Sequence, residues 1–124
     1  MKWEDIVNVL IELQRQYSGV KGATIVSTEA LPNVEVIGST FFERAEEESL
    51  AAMITSLLSL AERSVIEMKK GLLDHLYVKG TDGSLLVLQA GPNAVLAVST
   101  TKDVRYGLIF LDCKRICDKI AELI

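Results

Sequence analysis

Few side chains in this 124-residue sequence stand at spacings that could do chemistry. His75 is the single histidine, so a two-histidine metal site within one chain is excluded. In a strand, a lone histidine reads as a structural or interface group. Cys113 and Cys117 are four apart within one helical stretch, a placement that does not suit disulfide geometry. On an apolar helix stripe they are packing groups, and neither lies near His75 in sequence to make a catalytic pair. Glu43, Glu46, Glu47 and Glu48 crowd what reads as the positive end of a helix dipole, which explains them better than metal binding does. Gly80-Thr81-Asp82-Gly83-Ser84 is glycine-rich, but no G-x-x-x-x-G-K-[ST] occurs, and this stretch joins two strands instead of opening a helix. No acid–base or nucleophile constellation remains. The expectation is a protein without enzymatic activity, cofactor or metal.

Composition narrows the partners. Seventeen acidic against thirteen basic residues give a net charge of −4, which argues against nucleic acid or an anionic membrane. Aromatic residues make up only 6%, too few for a base-stacking surface. An apolar fraction of 49% excludes disorder and is generous for a small soluble monomer. The length suits one domain, 1–124. An amphipathic stretch carrying Glu4, Asp5 and Glu12 occupies the start, where a secretory signal would need an apolar run, so the cytoplasm is the expected location. The uncharged run Gly83–Thr101 is long enough by count to cross a membrane. Gly91-Pro92-Asn93 interrupts it, so it reads as two buried strands joined by a turn, with no membrane insertion.

The elements that must position these residues follow from periodicity. Ile6, Val7, Leu10, Ile11, Leu13 and Tyr17 fall near one face of a first helix over 4–17, ended by Gly19. Strands are expected at 23–26 and 34–37, joined through Pro32-Asn33. Thr40 and Glu43 have the spacing of a capping box for a second helix over about 42–70, closed by Lys69, Lys70 and Gly71. Strands at 73–79, 85–89 and 94–99 come next. The last two lack polar alternation, which means a sheet covered on both faces. A third helix over 104–123 presents Leu108, Ile109, Cys113, Ile116, Cys117, Ile120 and Leu123 as its inner stripe. The order is α-β-β-α-β-β-β-α, an α+β arrangement.

The middle helix carries more apolar residues than one contact needs. Around Leu50, the residues Met53, Ile54, Leu57, Leu58, Leu60, Ala61 and Val65 span about a half-circle, wider than the stripe of an ordinary surface helix. The width predicts two contacts, its own sheet and another body. Ala52, Thr55, Ser56, Ser59, Arg63 and Lys70 occupy the opposite side. In the following strand His75, Tyr77 and Lys79 share one face. At a sheet edge that strand would need guarding or pairing with a second copy.

Five stretches share a pattern of small and apolar residues: Leu50-Ala51-Ala52-Met53 through Leu60-Ala61-Glu62-Arg63, Gly71-Leu72, Asp82-Gly83-Ser84-Leu85-Leu86-Val87, Ala94-Val95-Leu96-Ala97-Val98 and Gly107-Leu108-Ile109. Together they resemble the Roadblock / dynein light chain family, in its stand-alone prokaryotic, MglB-like form. The opening helix followed by Gly19-Val20-Lys21-Gly22-Ala23 continues the likeness, which covers nearly the whole chain. One departure is Glu29-Ala30-Leu31, where family members often have glycine between an acidic residue and leucine. Ala30 disfavours the positive φ that glycine allows.

The resemblance implies a profilin-like fold: a five-stranded antiparallel sheet with the middle helix on one face and the terminal helices on the other. It also implies dimers formed through the middle helix and the strand after it, for which Met53, Leu57, Leu58, Leu60, His75, Tyr77 and Lys79 are the candidates here. Family members serve as platforms for small Ras-like GTPases or as adaptors in larger assemblies. The expected function is therefore a homodimeric, non-enzymatic GTPase regulator, including stimulation of GTP hydrolysis, with Ala52, Ser56, Ser59 and Arg63 as contact candidates. Arg63 is not expected to serve as an arginine finger, because the proteins resembled here act by reshaping the GTPase's own residues. The alternative is a scaffold subunit that dimerises or tethers other proteins without affecting nucleotide turnover. A small-molecule sensor ranks below both, since unalternated strands signal a filled core.

Overall fold

A computed structural model of the chain describes residues 2–27, 35–40 and 44–123. Its elements run α1 (Lys2–Gln16), β1 (Val20–Ser27), β2 (Glu35–Ser39), α2 (Arg44–Glu67), β3 (His75–Lys79), β4 (Gly83–Gln89), β5 (Ala94–Thr101) and α3 (Tyr106–Leu123), the order the periodicities give. The strands form one antiparallel sheet in the order β2-β1-β5-β4-β3, which leaves β2 and β3 as its edges.

Alternation along the inner strands sorts their apolar residues into two cores. On β5, Ala94, Leu96 and Val98 face α1 and α3, while Val95 and Ala97 face α2. On β4, Leu86 and Leu88 join the first group and Val87 the second. A strand buried on both sides has no use for polar alternation, and this is why the sequence shows none there. Ile6, Leu10 and Leu13 of α1 and Ile109, Cys113, Cys117 and Ile120 of α3 close one face. Ala51 and Ile54 of α2, with Leu50 and Leu58 beside them, close the other.

Three local expectations are corrected. Gly19 does not adopt a left-handed conformation; glycine is required there because a Cβ would overlap Val104, and the chain leaves α1 earlier, with the Val20 amide donating to the Tyr17 carbonyl at 3.0 Å. The hydroxyl of Thr40 binds back to β1. Its Oγ1 accepts from the Ala23 amide at 2.9 Å, tying the end of β2 to β1. The Glu43 half of the expected box lies outside the described residues, as do the turn through Pro32-Asn33, the Glu29-Ala30-Leu31 departure and the side chains of Glu46, Glu47 and Glu48.

The second correction concerns the end of α2, which is made by Lys69 rather than Gly71. Lys69 sits at φ 58°, the Lys70 amide donates to the Val65 carbonyl at 2.7 Å, and the Lys69 amide donates to the Ile66 carbonyl at 3.0 Å. This is the Schellman arrangement with a lysine where glycine is favoured. The third is Leu108, which lies about 100° round the helix from Ile109 and is exposed rather than part of the inner stripe.

Candidate interaction surface

Viewed down α2, the apolar half-circle divides into two arcs. Leu50, Ala51, Ile54 and Leu58 lie against the sheet. Met53 and Leu60 belong to the neighbouring arc and face solvent, 53% and 64% exposed, with Leu57 half-buried between them. Ile66 is exposed about 120° round the helix from Leu60, and Met68 and Leu72 are exposed beyond the helix end. By length and composition Ser49–Glu67 would pass for a membrane span. Its apolarity is instead that of a helix with one covered arc and one uncovered.

The candidates on the polar side, Ala52, Ser56, Ser59 and Arg63, are all exposed. Hydroxyl groups along α2 turn back onto the helix: Thr55 Oγ1 donates to the Ala51 carbonyl at 2.9 Å, Ser56 Oγ to Ala52 at 3.3 Å and Ser64 Oγ to Leu60 at 2.8 Å. This leaves a low, smooth surface that another backbone can approach. Arg63 pairs with Glu67 at 3.5 Å on the open surface, a contact worth little to stability.

The strand candidates separate by face. Leu76 packs with the α2 core, and Val78, two residues on, shares its side and is exposed. His75 and Tyr77 point the other way, onto α3. Asp74 Oδ2 lies 2.7 Å from His75 Nδ1, and the Tyr106 hydroxyl lies 2.6 Å from His75 Nε2. An ionised carboxylate only accepts, so the network assigns the proton to Nδ1, and Nε2 accepts from Tyr106. Phe110 packs against His75 and Tyr77 against Tyr106 with tilted rings, each pair with centroids 4.3 Å apart. Lys114 reaches Asp74 Oδ1 at 3.4 Å, and Ser84 Oγ donates to the Tyr77 hydroxyl at 3.2 Å. The hydrogen bond from His75, then the Lys114 charge, hold the Asp74 carboxyl below its ordinary range. Burial, followed by the proximity of Tyr77 and Asp74, raises the Tyr106 phenol.

Thus the structure does not gather the candidates into one patch. Met53, Leu57 and Leu60 open onto the α2 side with Val78, whereas His75 and Tyr77 are held in a cluster on the α3 side, with Lys79 exposed beyond them. Sequence reasoning missed Asp74, Tyr106, Phe110 and Lys114. Three of these recur at four-residue steps on α3, a spacing that marks one helix face but does not reveal which strand that face meets.

Two further places bear on chemistry. Cys113 and Cys117 are free thiols buried in the α1/α3 core, and burial pushes both up to about 12, so neither is a ready nucleophile. A cavity of about 500 Å³ opens between the end of α1 and the start of α3, lined by Tyr17, Val104, Arg105 and Leu108 among others; none of the candidate residues lines it. Among the described residues no group of His, Cys, Asp and Glu side chains is placed to hold a metal ion.

Comparison with known proteins places this geometry. The Roadblock/LC7 domain family model matches residues 6–100. The uncharacterized protein MJ0310 of Methanocaldococcus jannaschii is 34% identical over 118 residues, covering 95% of this chain and 98% of its own. Among solved structures, an MglB with tetrameric arrangement superposes with a TM-score of 0.85 at 18% identity, covering 98% of this chain and 89% of that one. The gliding protein MglB from Thermus thermophilus gives 0.83 at 17%, covering 98% and 90%. At those identities the two structures speak for the fold alone. The family match over most of the sequence carries the assignment: this chain belongs to the Roadblock/LC7 family.

Proposed function

We propose that the protein is a non-enzymatic, cytoplasmic regulator that self-associates and serves as a binding platform for a small Ras-like GTPase. The observation that carries the reading is the uncovered apolar arc of α2, with Met53 and Leu60 more than half exposed on the side of the sheet where Val78 of the β3 edge is also open. Apolar side chains in that density on one face mark an interaction site. A second copy of the chain would cover Met53, Leu57, Leu60 and Val78 and give the β3 edge a partner. Ala52, Ser56, Ser59 and Arg63 would then remain on the outer side of the paired helices, where a GTPase could lie close to the short side chains. Family membership and the fold shared with MglB structures support the partner class.

The test adds the purified protein to each Ras-like GTPase encoded in the same genome and measures binding and GTP hydrolysis together. Binding with a changed rate is the expected result, and Ser59→Arg, which fills the smooth surface, should abolish it. Binding with an unchanged rate would replace regulation by the scaffold reading. Absence of binding would overturn the proposal.

A further inference from the structure

The His75 cluster sits on the sheet edge that self-association would use, and the strand's length constrains how two copies can pair there. β3 spans the five residues His75–Lys79. Antiparallel pairing of β3 with its copy uses all of them only when Tyr77 lies on the two-fold axis. In that register Leu76 of one copy faces Val78 of the other on the α2 side, covering the exposed valine. On the α3 side, His75 of one copy faces Lys79 of the other, twice per dimer by symmetry.

We propose that this His75–Lys79 juxtaposition makes self-association pH-sensitive, weakening it as His75 takes up a proton. The inference rests on the self-association reading above. Histidine is the side chain that gains charge between about pH 8 and pH 5, and directly opposed like charges in an antiparallel pair are destabilising. Every neighbouring element contributes to the surroundings of His75. The preceding turn offers Asp74, β3 itself offers Tyr77, and α3 offers Tyr106, Phe110 and Lys114. Its neighbour across the ladder on β4, Leu88, is apolar. Asp74 and Lys114 already balance one another at 3.4 Å. A proton on His75 therefore leaves the cluster with an added positive charge, next to the strand position that Lys79 of the other copy must approach. Protonation need not break the cluster itself, because Nδ1 continues to donate to Asp74 and the Tyr106 oxygen can accept from a protonated Nε2. The change falls on the pairing rather than on the fold.

Sedimentation velocity over a concentration series, at about pH 5.5 and about pH 8 in low salt, tests this on the full chain. The dimer dissociation constant should be about three- to tenfold weaker at the acid pH. His75→Gln should bring the ratio close to unity. Lys79→Gln should do the same, and because Lys79 is exposed this variant carries no folding risk. A dimer equally tight at both pH values overturns the inference and leaves the self-association reading intact, as does a Lys79→Gln variant that keeps the full pH effect. A chain that sediments as a monomer at both pH values overturns the reading on which the inference rests.

Discussion

On the α1/α3 side of the sheet, the described residues include sixteen buried in one apolar cluster; on the α2 side they include six. The larger cluster draws on both terminal helices and the inner strands, and contains the fully buried Leu10, Leu13, Leu96 and Ile120. The smaller one rests mainly on Ile54 against Val87, Val95 and Ala97, while much of α2 remains uncovered. A helix that is apolar well beyond what it covers is not explained by the needs of its own domain. Among the described residues, the thicker cluster lies under the terminal helices, while α2 carries the exposed apolar surface that the proposed self-association would cover.

The largest expected effect tests the thick side. Leu96→Ala should cost about 3 kcal/mol in urea unfolding, whereas Ile54→Ala on the thin side should fall near ~2 kcal/mol because less surrounds the space it leaves. Equal losses would break the comparison. Thiol reactivity sharpens it next. Folded protein at about pH 8 should resist a thiol reagent that labels both cysteines promptly in denaturant, since burial pushes both thiols up to about 12. The sign for stability follows: the unfolded chain loses these protons near the ordinary 9.0 and the folded chain only near 12, so stability should decline as pH rises above about 9.

Smaller effects belong to the thin side. Met53→Ser and Leu60→Ser should leave unfolding free energy within about 0.5 kcal/mol of wild type, as exposed substitutions do. Each should weaken self-association by about tenfold, read by sedimentation. A large loss of stability in either would place these side chains in a core instead. The smallest change is Lys69→Gly. Relieving a left-handed lysine at the helix end should raise stability by about 0.5–1 kcal/mol in the same unfolding assay.

The sequence makes the element order legible because each element carries its own period: 3.6 in α1, α2 and α3, and unbroken apolar runs in β4 and β5, which are covered on both sides. It also makes the excess width of α2 legible, though not where the arc divides, since that depends on how the helix lies on the sheet. The Thr40–Glu43 spacing does not reveal that the threonine also serves the sheet, where its hydroxyl accepts from the amide of Ala23, seventeen residues away. The His75 cluster is hidden for the same reason. Tyr106 is thirty-one residues from His75, and only the antiparallel order that puts β3 beside β4 brings α3 over it. The family resemblance named His75 and Tyr77 together with the α2 residues, and the structure adds that the strand turns those two side chains to the α3 face of the sheet. Residue chemistry by itself points to no GTPase; that part of the account comes from resemblance and family.

The central claim is that the thin side is completed by a second copy, and sedimentation equilibrium of the wild-type chain at micromolar concentration near neutral pH tests it most directly. The account requires a mass of twice 13.6 kDa. A single species at 13.6 kDa across the accessible concentrations would contradict it.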